Sequence, residues 1–288
     1  MGKVMERRYI CKNGVVEKTR FAVGDNAAER PRWRKAKTAV EKREENQRQA
    51  VRELARILNC NADGSGFLVT LNYSEADYER LFAGMDEDAI LRESSRQAGL
   101  YIRRLKRKAG TGIKYAYVAS DREMLEDGTL VPCRVHNHIV VMGATQEQLR
   151  DCWELGVCTD IRHLYEHQED YTPLAAYLVL QVRSLENYKK YNASRNMDKP
   201  EIQDRVVKGD AGEEIRVQPG AKVLDRMTYR EGSVVQYVRY KRKPKAPKRG
   251  GHKLAERIAT DPAEHRNETG DDRKKGGEGF EFSKASWL

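Results

Sequence analysis

The chain contains few aromatic residues, few prolines and no long apolar run. Phe, Trp and Tyr make up 8% of its 288 residues, and 8 residues are proline. Apolar stretches such as Ile139–Ala144 are far shorter than the roughly 20 residues with which a helix crosses a bilayer. The sequence therefore predicts no membrane-spanning segment and no membrane partner.

The sequence also lacks the features of a secreted protein and of a disulfide-rich protein. Met1–Glu6 holds neither the apolar core of a secretory leader nor the Ser or Thr at position 6 that myristoylation requires. The 5 cysteines form no Cys-x-x-Cys pair, and such spacing fits a reducing compartment better than a disulfide framework. We therefore expect a cytoplasmic protein.

Positive charge is what the chain has in excess. Its 54 Lys and Arg residues outnumber its 44 Asp and Glu residues, which gives a net charge of +10. Three basic runs, Arg30–Lys37, Arg103–Lys108 and Lys241–Lys253, contain much of this charge. One such run is usually a solvated face, but three of them on a basic chain favour a partner rich in phosphate, and nucleic acid is the leading candidate.

The spacing of apolar residues predicts alternating strands and helices. The predicted strands are Phe67–Tyr73, Ile113–Val118, Val135–Val141 and Val157–Leu164. The predicted helices run from about Lys37 to Asn61, from Ser74 to Ala109 with a break near Gly84, from Gln146 to Glu154 behind a Thr145–Gln148 capping box, and from an N-cap at Thr172 toward Tyr191. This order predicts an α+β fold with a central antiparallel β-sheet and flanking helices.

The domain organisation follows from the same pattern. We expect a basic N-terminal extension with a long helix over residues 1–63, a central domain over 64–200, a short-stranded extension over 201–240 and a basic, flexible tail over 241–288.

His136 and His138 are the first part of a candidate chemical site. They lie two residues apart on a predicted strand, so both imidazoles leave the same face of the sheet. Such a pair can chelate one divalent ion, although an isolated His-x-His pair is more often structural or merely exposed.

Tyr177 is the second part. It shares the apolar face of its predicted helix with Leu174 and Leu178, which turns the phenol toward the sheet, and a plain core tyrosine is the alternative. A phenol with a pKa of about 10 is a poor nucleophile at neutral pH. A cation between two imidazoles would both activate a phosphate and ease formation of the phenolate, so the combination predicts a phosphotyrosine product.

The strand with His136-Asn137-His138, followed about forty residues later by the helix with Tyr177, resembles the HUH endonuclease fold of rolling-circle replication initiators. Four segments look like those of the replication-associated proteins (Rep) of bacterial plasmids and mobile elements, namely Leu54–Cys60, Phe67–Tyr73, Ala175–Leu178 and Tyr191–Pro200. The string Ser-Arg-Asn-Met-x-Lys-Pro within the last of them is the most specific.

This resemblance implies a palm-like HUH endonuclease domain over residues 64–200 and a metal-dependent nickase. Tyr177 would be its nucleophile, and His136 and His138 would bind Mn²⁺ or Mg²⁺. The enzyme would join itself to the 5′ phosphate of cut single-stranded or hairpin origin DNA and leave a 3′ hydroxyl as primer, in the bacterial cytoplasm. No Gly-x-x-x-x-Gly-Lys-Ser/Thr phosphate loop occurs, so unwinding would need a host helicase as partner.

Three positions depart from the pattern of that family. Family members often have a carboxylate as third metal ligand where this chain has Ser120, and we take Asp121 as the candidate to replace it, with Glu123 as the alternative. A lysine commonly stands at the position of Leu180. The residue between the histidines is usually hydrophobic, whereas here it is Asn137.

Candidate DNA-binding residues come from the cationic end of the second predicted helix and from the specific string before Pro200. They are Arg103, Arg104, Lys106, Arg107, Lys108 and Arg195.

Two alternatives stay open, and two others are disfavoured. Ser120 and Leu180 motivate a non-catalytic descendant that still binds origin or hairpin DNA, and a transposase or relaxase would use the same chemistry. A zinc site is disfavoured, because its ligands have no finger-type spacing; they would be Cys152, Cys158, His163 and His167. A two-tyrosine enzyme is also disfavoured, because Gln181 stands four residues beyond Tyr177. Tyr188 and Tyr191 are expected to pack or to stack on bases.

Overall fold

Ten strands and five helices make up the regular structure of the described part of the chain. The computed structural model describes residues 3–23, 38–125, 127–164, 169–183, 185, 188–229 and 234–243. The strands are β1 (Lys3–Ile10), β2 (Val15–Val23), β3 (Phe67–Tyr73), β4 (Lys114–Met124), β5 (Leu130–Met142), β6 (Gly156–His163), β7 (Asn192–Ala193), β8 (Glu201–Val207), β9 (Lys222–Tyr229) and β10 (Val235–Lys241). The helices are α1 (Ala39–Asn61), α2 (Glu75–Phe82), α3 (Glu87–Ala109), α4 (Gln146–Asp151) and α5 (Thr172–Leu180). The basic run Arg30–Lys37, His167 and the predicted tail from residue 244 onward lie outside the described residues.

The described strands form two antiparallel sheets of five strands each. Sheet I has the order β6-β3-β5-β4-β7, and sheet II has the order β8-β1-β2-β10-β9. The α+β class is therefore confirmed. The prediction of one central sheet is wrong, because the strands expected as a short extension after residue 200 belong to a second sheet as wide as the first.

The first strands correct the prediction of a helical N-terminal extension. Of residues 1–63 only α1 is helical, while β1 and β2 form a hairpin at the centre of sheet II. In β2 the charged Lys18 and Arg20 alternate with Val15, Glu17 and Thr19, which is the period of a strand. The high count of basic residues concealed that alternation. Pairing of β1 with β8 and of β2 with β10 crosses the boundaries predicted near residues 63 and 200.

Sheet I has two unlike faces because side chains alternate along its strands. In β3, the odd-numbered residues from Phe67 to Tyr73 are all buried. Tyr73 packs edge-on against Phe82 of α2 and against Trp153, which follows α4. Helices α2, α3 and α4 therefore cover this face, and the even-numbered positions of β3 and β5 point to the opposite face.

Helix α1 contacts both sheets. It begins with a capping box at Thr38 and Glu41, which confirms the helix predicted up to Asn61. Leu54 and Leu58 are fully buried in the core of sheet I. On another side of the helix, the Arg56 guanidinium donates to the Glu17 carboxylate of β2 at 2.7 Å. Burial of apolar side chains thus fixes α1 on sheet I, and an ion pair fixes it on sheet II.

The Asp170 carboxylate connects α1, α5 and sheet II. Its Oδ1 accepts hydrogen bonds from the Asn59 amide at 3.1 Å and from the backbone N–H and hydroxyl of Thr172 at 3.1 and 2.7 Å. Its Oδ2 forms an ion pair with Arg239 of β10 at 3.1 Å. The N-cap of α5 is Tyr171, which makes no side-chain capping bond. The prediction of Thr172 as N-cap is therefore wrong by one residue, and Asp170 satisfies the Thr172 N–H from the residue before the cap.

Helix α5 is shorter than predicted. It ends at Leu180, so Tyr188 and Tyr191 do not lie on it, and the prediction of a helix toward Tyr191 is wrong. The helix is apolar on most sides, and Leu174, Ala175, Leu178 and Val179 are buried. A sequence with no polar face gives no periodic signal for where such a helix ends. In contrast, the Thr145–Gln148 capping box of α4 is confirmed.

None of the described helices has a stretch that is both long and apolar enough to cross a membrane.

We expect Asp170→Ala to destabilise the protein by about 3–5 kcal/mol. It removes the closer carboxylate partner of the buried Arg239, whose other partner Asp225 lies 3.9 Å away, and it leaves the start of α5 without an acceptor. Urea unfolding followed by circular dichroism measures this loss. The control is Asp204→Ala, which breaks the exposed bidentate pair with Arg7 on the same sheet and should change the free energy of unfolding much less. Equal losses in the two variants would contradict the role of Asp170.

Candidate metal centre and nucleophile

Strand β5 places His136 and His138 on one face of sheet I. It pairs on both sides, with β3 and with β4, and the register sets His138 between Thr70 and Val118 and His136 beside Ser120. A central strand with two neighbours cannot slip by one residue without turning its buried side chains outward. The orientation of the two imidazoles is therefore fixed by the whole sheet.

The two imidazoles approach each other through their Nε2 atoms, which lie 3.0 Å apart. Nδ1 of His136 lies 3.1 Å from the Arg134 carbonyl oxygen, and since a carbonyl only accepts, this nitrogen holds the ring proton. Nε2 of His136 then presents a lone pair. The spacing is that of a hydrogen bond donated by the protonated Nε2 of His138, which also faces Gln181 Oε1. It also equals the separation of two nitrogens about 2.1 Å from one ion and at a right angle, so the pair can hold an ion once His138 carries its proton on Nδ1.

Burial keeps both imidazoles neutral. Burial and, to a lesser extent, the neighbouring His136 lower the pKa of His138 to about 3, against the opposing effect of its hydrogen bond to Gln181 Oε1. Burial also lowers the pKa of His136, against the Arg134 carbonyl and the charges of Glu123 and Asp121. Neutral imidazoles are the state that binds a metal ion.

Tyr177 lies beside the histidine pair. Its ring centre is 5.4 Å from that of His138, with the planes tilted by 56°. Helix α5 carries the tyrosine, and buried Leu174 and Leu178 on the same helix hold it against the core. The predicted nucleophile and the predicted ligands, which lie on separate elements, are thus brought together.

Gln181 supplies a third donor atom, which was not predicted. It stands four residues after Tyr177, on the same side of α5. Its Oε1 lies 3.2 Å from His138 Nε2. The side chain is 1% exposed, and its Nε2 has no hydrogen-bond partner among the described residues. The i, i+4 spacing that argued against a second tyrosine would also have predicted this neighbour.

Ser120 holds Gln181 in place. The buried Ser120 hydroxyl lies 3.0 Å from the Gln181 backbone oxygen and 3.3 Å from its Oε1. Ser120, which stands where the family pattern has a carboxylate ligand, therefore contacts the side-chain amide of Gln181. On the outer side of the pair, the Thr70 hydroxyl lies 3.2 Å from His138 Nδ1 and orients that ring.

Asp121, the candidate third ligand, is engaged elsewhere. Its Oδ2 pairs with the Arg183 guanidinium at 2.8 Å, and its Oδ1 accepts from the Arg183 backbone N–H at 3.3 Å. Glu123, the alternative, is exposed. Within the described residues no three His, Cys, Asp or Glu side chains form a group that could hold an ion. The set His136, His138 and Gln181 contains an amide in place of such a carboxylate. Its amide oxygen is a ligand of the kind that Mn²⁺ and Mg²⁺ take, whereas its two imidazole nitrogens are more typical of Zn²⁺ or Fe²⁺.

The other two departures have structural explanations. Asn137 points to the α3 face of sheet I, where its amide donates to the Tyr73 hydroxyl at 3.1 Å and its oxygen accepts from Ser94 at 3.3 Å. This buried polar cluster is satisfied, so the amide replaces a hydrophobic residue without an unpaired group. Leu180 lines a groove of 630 Å³ together with Arg122 and Arg183, and neither histidine is among the residues that line it.

The predicted DNA-binding residues are not on the face of the histidine pair. Five of them lie near the end of α3, which covers the opposite face of sheet I. Two have acidic partners, since Lys108 pairs with Asp151 and Arg104 lies 3.5 Å from Glu154. Arg103, Arg107 and Arg195 are exposed, and Lys106 lies over the Tyr115 ring.

The alternative zinc ligands show no metal-like arrangement in the described part of the chain. Burial raises the pKa of Cys158 to about 11, which disfavours the thiolate that binds zinc. His163 stacks against Phe67 at 4.7 Å, and Cys152 is buried.

No protein-family model, no curated protein and no solved structure matches this chain.

We expect Gln181→Ala to weaken binding of Mn²⁺ at least tenfold, since it removes the third donor, and His136→Ala to abolish it. Isothermal titration calorimetry of the full chain measures both. Tyr177→Phe and Asp121→Asn serve as controls and should leave the affinity within about threefold. A larger loss in Asp121→Asn than in Gln181→Ala would instead assign the third position to the carboxylate.

Proposed function

We propose that this chain is a metal-dependent endonuclease of the HUH type, with a palm-like HUH domain around sheet I, that nicks and rejoins single-stranded DNA through Tyr177. The observation that carries the proposal is the convergence of His136, His138 and Gln181 beside the Tyr177 ring. Stabilising the core would not require the two histidines and the tyrosine to lie in this arrangement.

Each residue of the site would have a separate role. His136, His138 and Gln181 would hold Mn²⁺ or Mg²⁺, and because all three donors are neutral the charge of the ion would be left to polarise the scissile phosphate. Ser120 and Thr70 orient the donors. The side chains buried around α5 fix Tyr177 next to them, so the attack needs no large movement of the nucleophile.

The covalent step balances as a transesterification. The Tyr177 oxygen forms a bond to phosphorus and releases its proton, while the bond from phosphorus to the 3′ oxygen breaks and that oxygen takes up a proton. The products are a 5′-phosphotyrosine link and a free 3′ hydroxyl. Attack by a 3′ hydroxyl on the phosphotyrosine reverses the step and rejoins the strand.

Such chemistry suits initiation of rolling-circle replication, because the free 3′ hydroxyl serves as primer and the bound 5′ end is kept for rejoining. Origin DNA in single-stranded or hairpin form would be the substrate, with a host helicase as partner in a bacterial cytoplasm. A transposase or relaxase would use the same step. The contact of Ser120 with Gln181 supports an active enzyme, while Leu180 keeps the non-catalytic binder as the alternative.

We expect a covalent adduct when the full chain is mixed with Mn²⁺ and single-stranded oligonucleotides that tile the DNA beside its gene. Tyr177→Phe should abolish the adduct, seen as a shifted band on a denaturing gel, because the nucleophile is gone. Tyr188→Phe and Tyr191→Phe are matched controls and should retain it. DNA binding without an adduct under every divalent metal would support the non-catalytic alternative.

We further expect His136→Ala to abolish cleavage while the affinity for DNA changes by a few fold only, because phosphate contacts, not the ion, dominate binding. Fluorescence anisotropy and the gel assay on the same preparation separate the two effects. A parallel loss of affinity and cleavage would contradict this division.

A further inference from the structure

Sheet II has a groove on the face that points away from α1. Residue Glu17 of β2 contacts α1, so its neighbours Val16 and Lys18 point to the other, outer face. The segment after β8 covers part of this outer face through Ile215, which packs against Val16. Between that segment and the strands lies a groove of 410 Å³.

The groove is lined by basic and apolar side chains. Its lining, within the described residues, consists of Arg8, Ile10, Val16, Lys18, Gln203, Arg216, Val217, Gln218, Tyr240 and Arg242. Four of these ten are cations and none is acidic. Across the sheet, Gln203 of β8 pairs with Arg8 of β1, and Arg8 pairs with Lys18 of β2, so two cations stand side by side on strands about 4.8 Å apart.

The carboxylate nearest this groove does not balance its charge. Glu6, which is 1% exposed, lies beneath the surface and pairs with Arg8 at 3.0 Å, Arg20 at 3.4 Å and Arg205 at 2.7 Å. Three guanidinium groups thus share the Glu6 carboxylate, and of these Arg20 also lies 3.7 Å from the exposed Glu213. Net positive charge is left on a partly desolvated surface, where an anion would be bound strongly.

The ammonium group of Lys18 adds further positive charge at the floor of the groove. The residue is 6% exposed, and its ammonium donates to the Arg216 carbonyl oxygen at 2.7 Å and lies 5.5 Å from the Tyr240 ring centre. Burial lowers the pKa of Lys18; Glu6 raises it, and Arg8 and Arg205 lower it further. A phosphate next to this ammonium would relieve that repulsion.

We propose that this groove binds the backbone of single-stranded DNA, with phosphates on Arg8, Lys18, Arg216 and Arg242 and sugars or bases against the apolar wall around Val217. Single-strand sites combine a cationic groove with apolar or aromatic surface in this way. The choice of DNA as the polyanion rests on the proposed function. The groove lies on the outer face of sheet II, whereas Tyr177 lies at sheet I, so it forms a second contact that holds a strand apart from the cleavage site.

Charge reversal of Arg216 and Arg242 tests the groove without disturbing the fold. The contacts recorded for these two residues are made by backbone atoms, the carbonyl of Arg216 and the N–H of Arg242, which the substitutions preserve. The matched control reverses Arg80 and Arg96, two exposed arginines of α2 and α3 that each pair with an acid three residues earlier. Both double variants change the net charge by the same amount.

The measurement is anisotropy of labelled oligothymidylate over a salt series, with Tyr177→Phe as common background. We expect Arg216→Glu with Arg242→Glu to weaken binding at low salt at least tenfold. The slope of log affinity against log salt should fall by about 1.4, which is 0.7 for each of two phosphate contacts on a single strand. The control pair should stay within about threefold, and thermal melting should show both variants folded.

Three other outcomes would each reject a specific part of the proposals. Equal losses in the two double variants would overturn the groove, because net charge alone would then explain binding. Tighter binding of oligouridylate or of duplex DNA than of oligothymidylate would overturn single-stranded DNA as the occupant. Loss of binding in the groove variant, together with no adduct in the native chain, would leave the groove standing and reject the nickase.

Discussion

Alternation of side chains along β5 is the constraint on which the candidate site depends. Three consecutive residues serve two faces of sheet I: His136 and His138 meet the tyrosine helix, while Asn137 joins Tyr73 and Ser94 under α3. Because β3 and β4 clamp this strand on both sides, neither arrangement can change without the other. The polar cluster under α3 thus helps to set the register that aims the histidines, a structural role for a residue that looked only like a departure from a pattern.

The centre is built from neutral donors in a buried place. Two imidazoles and one amide converge, and a serine occupies the position where a carboxylate was expected. A buried carboxylate would add charge that costs free energy to desolvate whenever no ion is bound. An amide avoids that cost, and the nearby Asp121 is instead neutralised by Arg183 at the edge of the site. The side chains that could hold an ion therefore add no buried charge of their own.

Much of the site could be predicted from the sequence, whereas half of the fold could not. The histidine pair followed from the two-residue period, and the tyrosine from helical spacing, since both are local signals. Gln181 was missed although its i, i+4 spacing from Tyr177 was visible, because its contacts with Ser120 and His138 depend on how α5 packs against sheet I. The strands after residue 200 were expected, but β1 and β2 and the sheet that joins them were missed. These two strands alternate charged residues with polar or apolar ones, and their Glu6 pairs with Arg205 of β8. Ion pairing between distant segments leaves no periodic trace of burial.

The order of strands in sheet II also bears on how the chain folds during synthesis. The β1–β2 hairpin leaves the ribosome first, yet both of its outer neighbours, β8 and β10, come from beyond residue 200. At about 5–20 residues per second, the hairpin waits on the order of ten seconds or more with two unpaired edges. Lys18 and Arg8, which line the finished groove, are charged strand residues of the kind that disfavour edge-to-edge pairing with another copy during that interval.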